Sequence, residues 1–419
     1  MKAPFLLLFA SLMNLGSAAD WPSWRGPDQD GSVSGAAPPA EFSGEKNLLW
    51  KVELPGRGCS TPLVVDGKII VTTSIGEMDG VVAYDMDGKE LWQTSLGKLR
   101  PGRGQRVGSS ANSSPATDGE AVYVFFKSGK VAALELDGEL RWEINLFEEF
   151  GEDKLWWDVG TSPVIAGGKL VVAMMQTDAP SYIVSLDTKT GEMVWKNNRY
   201  FETGVESGDA YTTPLVLNLD GKETIVCWGA DHLTGQDAST GEILWTVGGF
   251  NPNKEKAWRV IASPVAEGDV ALVPYSRGAF VAGVKMGGKG DVTESAHLWK
   301  YDLGSDSATP IADDGKFYVL TDSGPKRGTV TCIEAESGKV LWTDRLPKGA
   351  QTYYASPLLA GGLMIFPRED GITFTAKAGK NGLEDVTKNE LGEGVIASPV
   401  VVDGKLLLRG DRSLFCFGG

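Results

Sequence analysis

The chain has 419 residues, 42% of them hydrophobic, with 54 glycines, 13 tryptophans and a formal net charge of −15. That composition describes a folded chain with many turns, not a disordered polymer, and its acidity excludes nucleic acid as a partner because phosphate would be repelled. Two histidines on different repeats, and four cysteines with no C-x-x-C and no adjacent pair, spell out no metal cluster, redox motif or catalytic triad.

In chain order, Lys2, the apolar run 4–12 and Ser17-Ala18-Ala19 read as an export signal cleaved after Ala19, which predicts a periplasmic or secreted protein. The run is too short to cross a bilayer and no later one is long enough, so no membrane span is expected. Residues 20–46 read as an N-terminal extension. Within it, Asp28, Asp30 and Gly31 resemble the start of a calcium loop, but the twelfth position is Pro39, so a plain turn is expected. Residues 47–54 (NLLWKVEL) read as a lone strand carrying Trp50.

From there a repeat takes over. Thr61-Pro62, Ser114-Pro115, Ser162-Pro163, Thr213-Pro214, Ser263-Pro264, Thr309-Pro310, Ser356-Pro357 and Ser398-Pro399 recur at intervals of 42 to 53 residues, which marks eight units. In most units an apolar run follows the proline, breaks at a glycine turn such as Asp66-Gly67-Lys68, and returns as a second run, the pattern of a hairpin. An acidic residue, a glycine and a tryptophan come next, with Gly88, Gly138, Gly191, Gly241 and Gly338 each four residues before Trp92, Trp142, Trp195, Trp245 and Trp342. Glycine supplies the positive φ of a third-to-fourth-strand turn, and the tryptophan then lands where it can wedge between sheets.

Unit five stretches this turn between Val284 and Trp299, and unit seven has Val386 or a neighbour in place of tryptophan. The last unit stops one strand short. These observations predict an all-β, eight-bladed propeller of four-stranded antiparallel blades over 47–419, with the strand at 47–54 completing blade eight against 414–417. Trp50, Trp92, Trp142, Trp195, Trp245, Trp299 and Trp342 are expected as structural wedges rather than cofactor contacts.

SLDTKTGEMVW (185–195) and GQDASTGEILW (235–245) resemble the blade signature of the pyrroloquinoline quinone (PQQ) type propeller family, Ala-x-Asp-x-x-Thr-Gly-x-x-x-Trp. The opening WPSWRGPDQDG (21–31) is similar to the start of an exported group of that family likened to the assembly factor BamB. The resemblance covers essentially the whole mature chain. It implies a propeller and either a scaffold role or a PQQ- and calcium-dependent dehydrogenase of alcohols or sugars.

With the first strand of each blade innermost, positions at fixed offsets before each proline should ring the channel mouth. They supply Arg57, Asp158, Asp209 and Arg259, with Trp157, Trp258, Asn112, Tyr211 and Tyr354 beside them, a set suited either to a ligand site or to a ring of mutually paired charges. The basic connector 98–106 and acidic 148–153 should pair at the rim.

No adjacent cysteine pair lies in the chain to sit over a quinone, as the dehydrogenases often have, so no cofactor is expected and PQQ with calcium is the alternative. The reading is a monomeric binding or assembly scaffold of the cell envelope, more binding protein than enzyme. Its expected partner is an envelope protein or a small-molecule or glycan ligand. A carbohydrate-binding propeller is the second alternative.

Overall fold

The computed structural model describes residues 20–103, 107–275, 277 and 279–419. The export signal at 1–19, and Arg106 of the basic connector, lie outside the described residues.

Eight sheets stand around one axis. Blade 1 comprises 63–98, blade 2 116–145, blade 3 164–198, blade 4 215–247, blade 5 265–301, blade 6 311–345 and blade 7 358–390, while blade 8 joins 400–417 to 48–53. Within blades 1 to 7 the main strands follow sequence order, each antiparallel to the last, so every blade is a meander built from local turns. Leu48–Glu53 pairs antiparallel with Ser413–Phe417, setting Trp50 opposite Cys416, and this removes the open edge that an incomplete last blade would leave.

Burial runs outward from the axis. First and second strands such as Leu63–Val65, Leu363–Pro367 and Val400–Val402 are buried at every residue, because sheets cover both of their faces. The outermost strands alternate, as in Leu48–Glu53.

Between them the tryptophans tie each blade to the next. The indole N–H groups of Trp50, Trp92, Trp142 and Trp299 donate to the carbonyls of Met86, Leu136, Thr188 and Ala335, each in the third-to-fourth-strand turn of the following blade, at 2.9 to 3.1 Å. The turn glycine of that following blade sits against the same ring: a Cβ on Gly191 would stand 2.7 Å from Trp142, and φ there is +74°. Trp142, Trp245 and Trp342 are buried, whereas Trp50, Trp92, Trp195 and Trp299 are half-buried at the blade margins rather than in the core.

The two irregular blades have physical explanations. In blade 5 the long turn sends Gly290–Asp291 alongside Ile243–Val247 of blade 4, parallel, with Trp245 opposite Gly290, and a single helical turn follows over Thr293–Ala296. That excursion covers Trp245, which is 2% exposed. In blade 7, Val386 is 40% exposed within a bulge between Glu384 and Thr387, and no aromatic replaces the missing tryptophan.

The extension at 20–46 is threaded through the ring. Trp21 pairs with Val64 of blade 1, the Pro22 carbonyl accepts the Thr117 amide of blade 2, and the Gln29 side chain accepts the Val216 amide of blade 4. The carbonyls of Asp30 and Gly31 accept the amides of Ala312 and Leu359 of blades 6 and 7, and Ser32–Val33 then lies parallel to Leu358–Ala360. Asp30 Oδ1 accepts the Ser32 amide at 2.6 Å, the turn expected in place of a calcium loop. Further on, Phe42 stacks on Phe417 at 4.6 Å across the seam between blades 7 and 8.

Candidate functional site

The Ser/Thr-Pro dipeptides that mark the repeat also build the inner wall. Each blade reaches the axis with its hydroxyl residue, and the backbone amide of one accepts as partner the hydroxyl of the next: Thr61 donates to Ser114, Ser114 to Ser162, Ser162 to Thr213, and so on to Ser356 and Ser398. Seven links of 2.9 to 3.1 Å join successive blades. The hydroxyl is needed because the amide beside the axis has no strand partner and would otherwise be buried unsatisfied.

Beside this ring lies a cavity of about 290 Å³, lined by all eight hydroxyl residues. On one side Trp24 of the extension contributes to its wall. Arg25, next to it and 2% exposed, donates to the carbonyls of Pro357 at 2.6 Å and Pro310 at 2.7 Å, so the extension is fastened to the prolines of two blades at this end of the channel. Arg25 needs Gly31 below it, where a Cβ would fall 1.6 Å from its guanidinium.

On the other side stand six of the nine residues picked out by register: Asn112, Trp157, Asp158, Tyr211, Arg259 and Tyr354. Trp157 lies under Arg259, whose guanidinium carbon is 5.7 Å from the ring centre, and the Trp157 amide donates to the Tyr211 hydroxyl at 2.9 Å. Burial pushes the Tyr211 hydroxyl well above the usual phenol range, so it stays protonated. Asn112 accepts from Ser109 and donates to the Val159 carbonyl.

The other three residues face elsewhere. Arg57 is exposed and lines a separate surface groove with Glu53, Asp411 and Arg412, because blade 1 enters from the outer strand of blade 8; Arg409 fills the space behind Gly58 and donates to Ser60 and Thr72. Asp209 is buried behind the wall, where its carboxylate accepts the amides of Trp156 at 3.0 Å and Thr177 at 2.7 Å. Trp258 packs edge-on against Tyr275 and Phe280 of blade 5.

The four register charges do not pair with one another. Lys127 binds Asp158, which also accepts the Arg103 amide, and Arg259 meets Asp306 at 3.2 Å and Glu206 at 3.7 Å. Lys127, Trp24, Cys59 and Asp306 were not singled out by register, and the Ser/Thr hydroxyls were visible in the repeat only as markers. Cys59 lines the cavity, but burial raises its thiol pKa, which does not favour a nucleophile. At the rim, Arg100 meets Asp153 at 3.5 Å.

A family model described as outer membrane protein assembly factor BamB matches residues 43–200, 157–295 and 288–414, which is most of the chain. The protein belongs to the BamB family. The BamB of Shewanella oneidensis is 23% identical over 291 residues, covering 66% of this chain and 62% of that protein, so the match spans less than two thirds of the relative's length. Among solved structures, BamB from Moraxella catarrhalis superposes with a TM-score of 0.61 at 17% identity, covering 89% of this chain and 97% of that one. The quinohemoprotein alcohol dehydrogenase from Comamonas testosteroni gives 0.68 at 15% identity, covering 97% and 82%. At such identities the structural likeness is one of fold.

The quinone enzymes among these likenesses make PQQ with calcium a group to test against the residues present. The two carboxylates of the cavity, Asp158 and Asp306, already hold Lys127 and Arg259, and among the described residues no three His, Cys, Asp or Glu side chains gather as metal ligands. Calcium takes six to eight oxygens, mostly from free carboxylates and carbonyls. This donor set does not fit calcium with a quinone.

Proposed function

We propose that this BamB-family chain is an exported scaffold of outer-membrane assembly, and that it docks envelope proteins through the face onto which the channel mouth opens. The observation that carries this reading is a set of exposed apolar side chains on the connectors of that face. Trp156 is 63% exposed, Tyr200 74% and Val205 66%. Tyr200 and Val205 line one groove with Phe201, Thr177 and Gly208, and Asp209, next to Gly208, holds the Trp156 amide in place. A large aromatic left in water is costly unless a partner covers it, and such anchors dominate protein interfaces. The rest of the outer surface shows its apolar residues singly, one or two to a blade edge, as in Leu49, Leu91 and Leu140. No helix among the described residues is long and apolar enough to cross a membrane.

Tyr200→Ser combined with Val205→Ser tests the face. Both side chains point to water, so the double variant should keep the parental melting temperature within about 2 °C. In cells lacking the native gene it should restore outer-membrane proteins less well than the parent chain. Full complementation by the variant would remove this face from the interface. Unchanged outer-membrane protein levels in the deletion strain itself would reject the scaffold role.

A further inference from the structure

We infer that the central cavity is a metal-free receptor for a small sugar acid, a ring-shaped polyol carrying one carboxylate. This does not rest on the scaffold reading, which uses the outer face of the mouth. The argument starts from polar groups that folding leaves without partners. Arg259 is 6% exposed and lines the cavity, yet among the described residues its Nη1 has no hydrogen-bond acceptor; the Trp157 indole N–H, in the same wall, has none either. Asp306 takes Arg259 Nη2 at 3.2 Å with its Oδ2, while its Oδ1 is left without a donor. Buried polar groups are almost always paired, so two orphan donors and one orphan acceptor in one cavity describe the complement of a missing molecule.

Each orphan constrains that molecule. The free edge of a guanidinium is best met by a carboxylate. Asp306 Oδ1 calls for a hydroxyl that can donate. Around the inner wall, the oxygens of Ser114, Ser162, Thr213, Ser263, Thr309 and Ser356 each accept one backbone amide, which leaves their hydroxyl hydrogens to donate to further ligand oxygens. The flanking aromatics Trp157, Tyr211 and Tyr354 offer flat apolar faces of the kind against which the C–H face of a sugar ring packs.

Charge and size limit the ligand further. Arg259 already faces Asp306 and Glu206, and Glu206 is shared with Arg277 at 2.6 Å, so the cluster of two cations and two anions is balanced. Such a site tolerates one added negative charge close to Arg259, whereas a tricarboxylate quinone would bring three. The cavity of about 290 Å³ sits at the lower end of small-molecule sites and suits one ring.

D-glucuronate, D-glucose, benzoate, and PQQ with and without calcium are the probes, read by tryptophan fluorescence and by thermal melts of the full mature chain. Glucuronate should raise the melting temperature and bind about tenfold or more tightly than glucose, with benzoate, which lacks hydroxyls, weaker than glucuronate, and chelation of divalent ions without effect. Arg259→Gln should erase the preference of glucuronate over glucose, and Trp157→Phe, which keeps the ring and removes only the N–H, should weaken glucuronate several-fold; if Arg259→Gln does not fold, the Trp157→Phe result decides. Equal binding of glucose and glucuronate, no response to glucuronate at millimolar concentration, or calcium-dependent PQQ binding that glucuronate cannot displace would each overturn the inference.

Discussion

Asp231 shows how one side chain carries a folding cost that depends on pH. It is 6% exposed, its Oδ2 accepts from Asn251 at 3.1 Å, and its Oδ1 has no partner among the described residues. Burial pushes its carboxyl up from the ordinary 3.8 to about 7. Between those two values the folded state keeps a proton that the unfolded chain has released, so stability falls as pH rises from about 4 through about 7, and the full cost is present above that. Asp231→Asn removes the charge, and asparagine tolerates the left-handed backbone found there, φ +60°. The variant should match the parent near pH 4 and melt several degrees higher at pH 8, as a series of melts across that range would show. A constant difference at every pH would contradict the assignment. The same scale is where counting from the prolines met its limit. The count reached six side chains that line the cavity, but position along a strand does not say which way a side chain turns, so Arg57 points to solvent and Asp209 serves backbone amides behind the wall.

A blade is a local object, and its sequence spells it out. The glycine four residues before each tryptophan was legible as a turn with positive φ; that it also lies beneath the tryptophan of the preceding blade was not, because nothing in the spacing relates one unit's glycine to another unit's ring. Gly191 and Trp142 make the point testable. Trp142→Ala should cost about 3 to 5 kcal/mol, the range for a large aromatic lost from a packed site. Gly191→Ala should cost about 1 to 3 kcal/mol through overpacking against the ring and through its left-handed backbone. The two should not add: with Trp142 removed, the alanine methyl meets no ring, so Gly191→Ala should cost less in that background, and urea unfolding of the four proteins measures the difference. Strict additivity would mean that the glycine serves only its own turn.

For the whole ring, closure is the decisive event. The strand Leu48–Glu53 has its main partner in Ser413–Phe417, and Ser398 ends the chain of hydroxyl links. Removing 398–419 strips that strand of its partner, opens two blade faces and frees Phe42, so the truncated chain should lose cooperative unfolding and become broadly sensitive to trypsin. A truncated chain that melts cooperatively at the parental temperature would refute closure by the N-terminal strand. Eight blades, their four-strand meanders and the strand that completes the last one could be derived from the sequence by itself, because periodic turns and apolar runs act between near neighbours along the chain. The path of the extension through the channel, with Arg25 bound to carbonyls 285 and 332 residues away, was decided only by the tertiary structure, as were the pairing of Lys127 with Asp158 and the orphan donors of the cavity. Such partners come within reach only once the ring has closed, and which charge meets which then depends on distance across the axis rather than on distance along the chain.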